Sequence, residues 1–168
     1  MSALVAVDLD QTVVYSRRSA GQAGPSVVVE HLDGEPLSSM TSGAHTAYAA
    51  LAARHRVVPV TTRTVEQYRR ITLPVPAGSA VCANGGVLLV DGEPDADWAR
   101  WVRTLVDGAA PLAEVEARLR AVEGRDWVRL VRVASDLFVY LVAHSREQVP
   151  ADWLADLTGA LADDGWTV

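Results

Sequence analysis

Apolar residues in the first half of the chain occur in two kinds of segment. Short apolar runs have the length of a strand and cover residues 3–7, 57–60 and 80–83. Between them, residues 42–54 and 65–71 carry apolar side chains at steps of three and four, which is typical of one face of a helix. Strands that alternate with helices predict a parallel sheet with helical crossovers, and hence an α/β fold.

A hairpin is predicted inside the first crossover. Residues 27–29 and the residues after Asp33-Gly34 have strand character, and Asp-Gly is a strong signal for a tight turn between two strands. The polar, glycine-rich residues 17–25 in front of the hairpin predict a loop.

The chain changes character after a polar break at residues 91–95. Beyond this break we predict helices and strands in turn: helices at 97–106, 111–122 and 150–161, and strands at 127–133 and 137–143. We therefore expect two domains, residues 1–90 and residues 91–168. The residues after Gly165 begin another strand-like run and stop. We interpret the second domain as incomplete.

Composition narrows the classes of function. The chain has 168 residues, is 49% hydrophobic and carries a net charge of −6 without a basic stripe, so a nucleic-acid partner is not expected. Cys82 is the single cysteine, which excludes a disulfide framework and suits a reducing compartment. No stretch of about 18 uncharged apolar residues occurs and no leader is evident, so we expect no membrane partner and a cytoplasmic location.

Polar residues follow each of the three apolar strands. Asp8 and Asp10 follow the first strand, Thr61 the second and Asn84 the third. Residues two apart on an extended strand point to the same side, and the carboxyl edge of an open parallel sheet is where ligands bind. A lone Asp-x-Asp is more simply a strand end followed by a turn. Three strand ends with polar residues together favour a functional site.

The segments around these residues resemble a known family. D-L-D-Q-T at 8–12 and V-T-T-R at 60–63 are similar to the first two motifs of the haloacid dehalogenase-like phosphohydrolase superfamily, although many members have glycine where this chain has Gln11. C-A-N-G-G at 82–86 resembles the Asn-Gly step at which the subgroup with a large α/β cap leaves the core. That subgroup includes sucrose-phosphate and mannosyl-glycerate-phosphate phosphatases. The motifs cover residues 3–90, and beyond them only the order of elements is similar.

The resemblance implies a Rossmann-like core at 1–90 with an inserted α/β cap from residue 91, and hydrolysis of a phosphomonoester through an aspartyl-phosphate. Asp8 would be the nucleophile, and its carboxylate with the backbone carbonyl of Asp10 would bind Mg²⁺. The free side chain of Asp10 would act as general acid and base, and the Thr61 hydroxyl would bind a phosphoryl oxygen. Three neighbours are candidate substrate contacts: Thr62, which is also an alternative to Thr61, Arg63 and Asn84. The expected substrate is a small phosphorylated metabolite, with sugar phosphates among the candidates.

Simpler readings of two of these residues stay open. Arg63 also fits a solvated arginine at a helix start, because most arginines are exposed. Asn84 also fits a plain Asn-Gly turn.

Two parts that the resemblance implies are missing from the sequence. All 15 basic residues are arginine, so there is no lysine to neutralise the phosphoryl group, and an arginine would have to reach the site from the cap or a partner chain. Every segment after Gly86 is assigned to the cap, so a later acidic pair for the metal is absent. We interpret the chain as the N-terminal part of a longer phosphatase, poorly active alone and prone to self-association through uncovered core edges. The alternative is a short form that binds a phosphorylated ligand or a protein partner without turnover.

Overall fold

The computed structural model of the chain describes residues 2–16, 19, 24 and 26–166. They form two compact units, Met1–Ala99 and Arg100–Val168. The division lies beyond the predicted break at 91–95, because the residues of that break pair with the sheet of the first unit. In the described part of the chain, no helix has the length and apolar character needed to cross a membrane. Most of the predicted loop at 17–25 lies outside the described residues.

The first unit contains a five-stranded and a three-stranded sheet. Its elements are β1 Leu4–Asp8, β2 Tyr15–Ser16, β3 Ser26–Leu32, β4 Glu35–Thr41, α1 Ser42–Ala52, β5 Arg56–Val60, α2 Val65–Arg69, β6 Ser79–Cys82, β7 Val87–Val90, β8 Glu93–Pro94 and α3 Ala96–Val106, which continues into the second unit. The large sheet has the order β1-β5-β6-β7-β8. β1, β5 and β6 are parallel, whereas β7 and β8 run antiparallel to their neighbours.

The sheet is mixed because the chain reverses directly after β6. Ala83, Asn84 and Gly85 have positive φ angles of 52°, 55° and 92°, and this left-handed turn sends β7 back beside β6. The sequence predicted the parallel crossovers and this turn, and the α/β class is confirmed. The short strand β2, which pairs with β4, was not predicted.

The predicted hairpin is confirmed as β3 and β4. Asp33 and Gly34 form its turn with φ angles of 53° and 82°, the positive values that a two-residue hairpin turn requires. The pairing is irregular near Val29, because Val28 pairs with Ser39 and Glu30 pairs with the next residue back on β4. Such a bulge places two successive residues of one strand against a single step of its partner. Val29 and Glu30 are therefore both buried, at 3% and 0% exposure.

The core of the first unit lies between the large sheet, α1 and the hairpin. Its buried members are Leu9, Val14, Val29, Met40, Tyr48, Val57 and Leu73. A smaller cluster of Ala80, Cys82 and Leu89 packs with Tyr68 of α2. Leu9 is fully buried, and its carbonyl accepts hydrogen bonds from the backbone N–H groups of Val13 and Val14 at 3.0 and 2.8 Å. The loop after β1 is thus fixed to the core.

The second unit is a hairpin covered by helices. It contains α4 Leu112–Arg120, β9 Val128–Ala134, β10 Phe138–Ala143 and α5 Ala151–Asp163. The predicted elements are confirmed to within a few residues. The prediction that Trp166 enters a strand is wrong: its backbone N–H donates to the Leu161 carbonyl and its indole N–H to the Ala110 carbonyl, both at 2.8 Å. These bonds cap the end of α5; the two residues that follow lie outside the described part of the chain.

Candidate functional site

Three parallel strands end at one level of the large sheet. Asp8, the last residue of β1, pairs in register with Val60 of β5, and Val60 pairs with Val81 of β6. The loops beyond are joined by backbone hydrogen bonds from Thr61 N–H to the Val81 carbonyl at 2.9 Å and from Ala83 N–H to the Arg63 carbonyl at 2.8 Å. The polar residues that follow these strands therefore emerge at one edge of the sheet.

Asp8 presents an exposed carboxylate at this edge. The Thr12 hydroxyl donates a hydrogen bond of 2.7 Å to its Oδ2 atom. Gln11, which lies between Asp8 and Thr12 in the sequence, has a positive φ of 60°, a conformation that glycine adopts without strain. Thr12 was not predicted as a site residue, although it is the last residue of the D-L-D-Q-T motif. Its contact fixes one oxygen of Asp8.

The sequence predicts a free side chain for Asp10. In the structure it is bound by Arg63. Arg63 donates to both of its carboxylate oxygens, from Nε to Oδ2 at 2.9 Å and from Nη2 to Oδ1 at 2.8 Å. This two-pronged pairing is the geometry that a planar guanidinium and a carboxylate favour. The contact with Asp10 raises the pKa of Arg63 and outweighs the opposing effect of burial. Arg63 thus contacts two carboxylates and is not the solvated surface arginine considered from sequence; its contact with substrate stays a prediction.

A second carboxylate, missed by the sequence analysis, holds the other edge of Arg63. Glu30 is fully buried and accepts from Arg63 Nη1 at 2.9 Å, from the Ser38 hydroxyl at 2.7 Å and from Arg70 Nε at 3.2 Å. Burial raises the pKa of Glu30, but the hydrogen bonds from Ser38, Arg63 and Arg70 together lower it below its ordinary value. Glu30 is therefore held as a carboxylate inside the first unit.

The remaining predicted residues occupy different environments. Thr61 is only 4% exposed, and its Oγ1 accepts from the backbone N–H of Arg63 at 3.1 Å, which leaves the hydroxyl proton available for donation. Thr62 and Asn84 are exposed at the same edge. Thr61 and Thr62 both stay candidates for binding a phosphoryl oxygen.

The donor set for a metal ion is partial. Among the described residues, no three His, Cys, Asp or Glu side chains gather into a metal site. The Asp8 carboxylate and the backbone carbonyl of Asp10 are hard oxygen donors, and Mg²⁺ commonly binds one or two protein oxygens together with waters and phosphate. The residues present therefore fit Mg²⁺ in type.

Positive charge reaches the site from within the first unit. We expected an arginine in place of the absent lysine to come from the cap or a partner chain. Arg63, in the loop after β5, instead contacts Asp10 directly, and its side chain is 14% exposed. Asp10 therefore obtains its positive partner from within the first unit, and the source of a cation for the phosphoryl group stays a prediction.

The parallel strands, their helical crossovers and the polar carboxyl edge define an α/β fold of the Rossmann-like type. Comparisons with protein-family models and with curated proteins give no match. Among solved structures, the chain is similar to the sucrose-phosphatase from Synechocystis determined with sucrose and phosphate, with a TM-score of 0.53 and 14% identity over 98% of this chain. The chain spans 57% of that protein's chain. At this identity, the likeness shows the fold.

Proposed function

We propose that the chain carries the nucleophile of a phosphomonoester hydrolase that works through an aspartyl-phosphate at Asp8. The observation that supports this most directly is an exposed carboxylate at the carboxyl end of β1, oriented by Thr12 beside the Asp10–Arg63 pair. The fold shared with a sucrose-phosphatase adds support. The substrate class is a small phosphorylated metabolite, and sugar phosphates are the first candidates.

In the first step, a carboxylate oxygen of Asp8 attacks phosphorus while the bond to the ester oxygen breaks. Thr12 holds Oδ2, so Oδ1 is the oxygen available for attack. Asp10 enters the first step in its protonated form and gives that proton to the leaving alkoxide; as the resulting carboxylate, it takes a proton from the water that later attacks the aspartyl-phosphate. Each Asp10 oxygen retains a second lone pair beside its bond from Arg63, so a proton has a position to bind on the carboxyl group while Arg63 stays in contact.

Two other contributions come from the same edge. The hydroxyl of Thr61 or Thr62 donates to a phosphoryl oxygen and stabilises the charge of the transition state. Mg²⁺, bound by the Asp8 carboxylate and the Asp10 carbonyl, would neutralise charge between an anionic nucleophile and a phosphate dianion.

The test is hydrolysis of an aryl phosphate with Mg²⁺ by the wild-type chain, Asp8→Asn and Asp126→Asn. Asp126 is an exposed aspartate of the second unit and provides a matched control. We expect Asp8→Asn to lower kcat by at least about 1,000-fold, because the nucleophile is removed, while Asp126→Asn keeps wild-type activity. Equal rates for wild type and Asp8→Asn would overturn the aspartyl-phosphate mechanism.

Binding of a phosphorylated ligand without turnover is the second candidate. It is favoured by the partial metal donor set and by the absence of lysine from the sequence. Titration calorimetry with a sugar phosphate decides between the two: binding with no phosphate release supports this candidate, and phosphate release supports the hydrolase.

A further inference from the structure

The feature of interest is a chain of charged contacts that runs from the β3–β4 hairpin to Asp10. We propose that Glu30 is a positioning residue, which holds the Arg63 guanidinium in the orientation that binds Asp10 and thereby makes the hairpin part of the site. The effect on turnover rests on the proposed function. The effect on Arg63 does not.

The hairpin presents Glu30 to the site through the bulge near Val29. In a regular strand, neighbouring side chains point to opposite faces, so Val29 in the core would place Glu30 in solvent. The bulge turns both residues inward. The backbone of β3 is also joined to the segment after α2, because Thr72 N–H donates to the Val29 carbonyl at 2.7 Å and Glu30 bridges to Ile71. Glu30 is thus fixed in backbone position.

The shape of arginine transmits this fixed position. A guanidinium is rigid and planar, so holding one edge determines where its other edge points. Arg63 gives Nη1 to Glu30 and gives Nε and Nη2 to Asp10. A lysine has a single ammonium group on a flexible stem and would not fix two carboxylates in this way.

The charges in this series of contacts between the hairpin and Asp10 are balanced. Two arginines, Arg63 and Arg70, face two carboxylates, Asp10 and Glu30, and the Ser38 hydroxyl satisfies Glu30 further. If the charge of Glu30 is removed, one edge of Arg63 loses its carboxylate partner. Arg63 is then free to turn away from Asp10 toward other acceptors, including an incoming phosphate.

The direct test observes the Nε–H group of Arg63 by ¹⁵N–¹H NMR in the full chain. Its signal is assigned by its loss in Arg63→Lys. The test variant is Glu30→Gln, and the control is Glu35→Gln, an exposed glutamate of the same hairpin. We expect a slowly exchanging Nε–H signal in wild type and Glu35→Gln, and its loss in Glu30→Gln. An unchanged signal in Glu30→Gln overturns the proposal.

Ser38→Ala provides a milder perturbation if Glu30→Gln does not fold. It removes one donor to Glu30 and leaves both arginines in place. We expect the Arg63 Nε–H to exchange with water faster than in wild type, because Glu30 is held less firmly. An exchange rate equal to that of wild type counts against the proposal.

The kinetic constants kcat and KM test whether the position of Arg63 affects turnover. Because Asp10 acts on the reacting atoms, its misplacement should lower kcat about 10- to 100-fold in Glu30→Gln with KM within about threefold. Glu35→Gln should match wild type. Equal loss in both variants would indicate a general effect on the hairpin and contradict positioning. A wild-type chain without turnover counts against hydrolysis by this chain and supports the second candidate function, and the NMR result still decides the role of Glu30.

Discussion

The two units are built from the same kinds of element but bury different chemistry. Among the residues of the first unit that the structure describes, three polar ones are buried: Glu30, Ser38 and Thr61. In the described part of the second unit, every buried side chain is apolar, as in the cluster around Val131. Burying a polar group is unfavourable unless partners satisfy it. The first unit accepts this cost beside the carboxyl ends of its strands, which is why we assign the chemistry to it.

This contrast predicts that removing one buried charge harms the first unit more than removing apolar volume harms the second. Glu30→Ala leaves Arg63 and Arg70 without their shared carboxylate, and breaking a buried ion pair costs about 3–5 kcal/mol. We expect the free energy of unfolding of the first unit to fall by an amount near the lower end of this range, because Arg70 is partly exposed. Hydrogen exchange of backbone amides in β1, β5 and β6 measures it. A loss below about 1 kcal/mol would contradict the role of the charge chain in stability.

The second prediction concerns the apolar core of the second unit. Val131 is fully buried, and Val131→Ala should lower the free energy of unfolding of this unit by about 2 kcal/mol. Trp127 and Trp153 pack against this cluster with ring centroids 4.9 Å apart, so tryptophan fluorescence during urea unfolding reports it. Amide exchange in β1 should stay at the wild-type rate. An equal change there would show that the two units unfold as one.

The smallest expected effect is the dependence of stability on pH. The pKa of Glu30 in the folded chain lies below its ordinary value of 4.5, so the unfolded chain binds more protons in this range. The stabilisation from Glu30 is therefore fully present above pH 4.5 and is lost as the pH falls through the lowered pKa. Thermal unfolding followed at pH 7 and at pH values below 4.5 measures this loss. Glu30→Gln should show a shallower acid dependence than wild type; parallel curves would contradict the assignment.

Much of the fold follows from local patterns in the sequence. The Asp33-Gly34 turn predicts the hairpin because both residues tolerate positive φ. Apolar runs predict β5 and β6 because buried parallel strands are nearly continuous in hydrophobicity. The strand-like run at Trp166 was misread, since its side chain and backbone cap α5 and do not enter a sheet.

The charge chain was not predictable in the same way. Alternation along β3 assigns Glu30 to the solvent face, and only the bulge reverses this assignment. The partner of Asp10 lies 53 residues away in sequence, so no local spacing connects it to Arg63. The motif around Asp8 predicted where chemistry is expected, but the contacts that orient the carboxylates depend on tertiary structure.

The single cysteine of the chain provides a chemical probe for local opening of the first unit. Cys82 lies at the end of β6 with no exposed surface, and burial raises the pKa of its thiol to about 11. Since the thiolate is the reactive form, a thiol reagent at neutral pH labels Cys82 only when this part of the sheet opens. The second unit has no cysteine, so its opening does not contribute to the labelling. The rate of labelling therefore records the opening of the first unit alone, in a chain that contains both units.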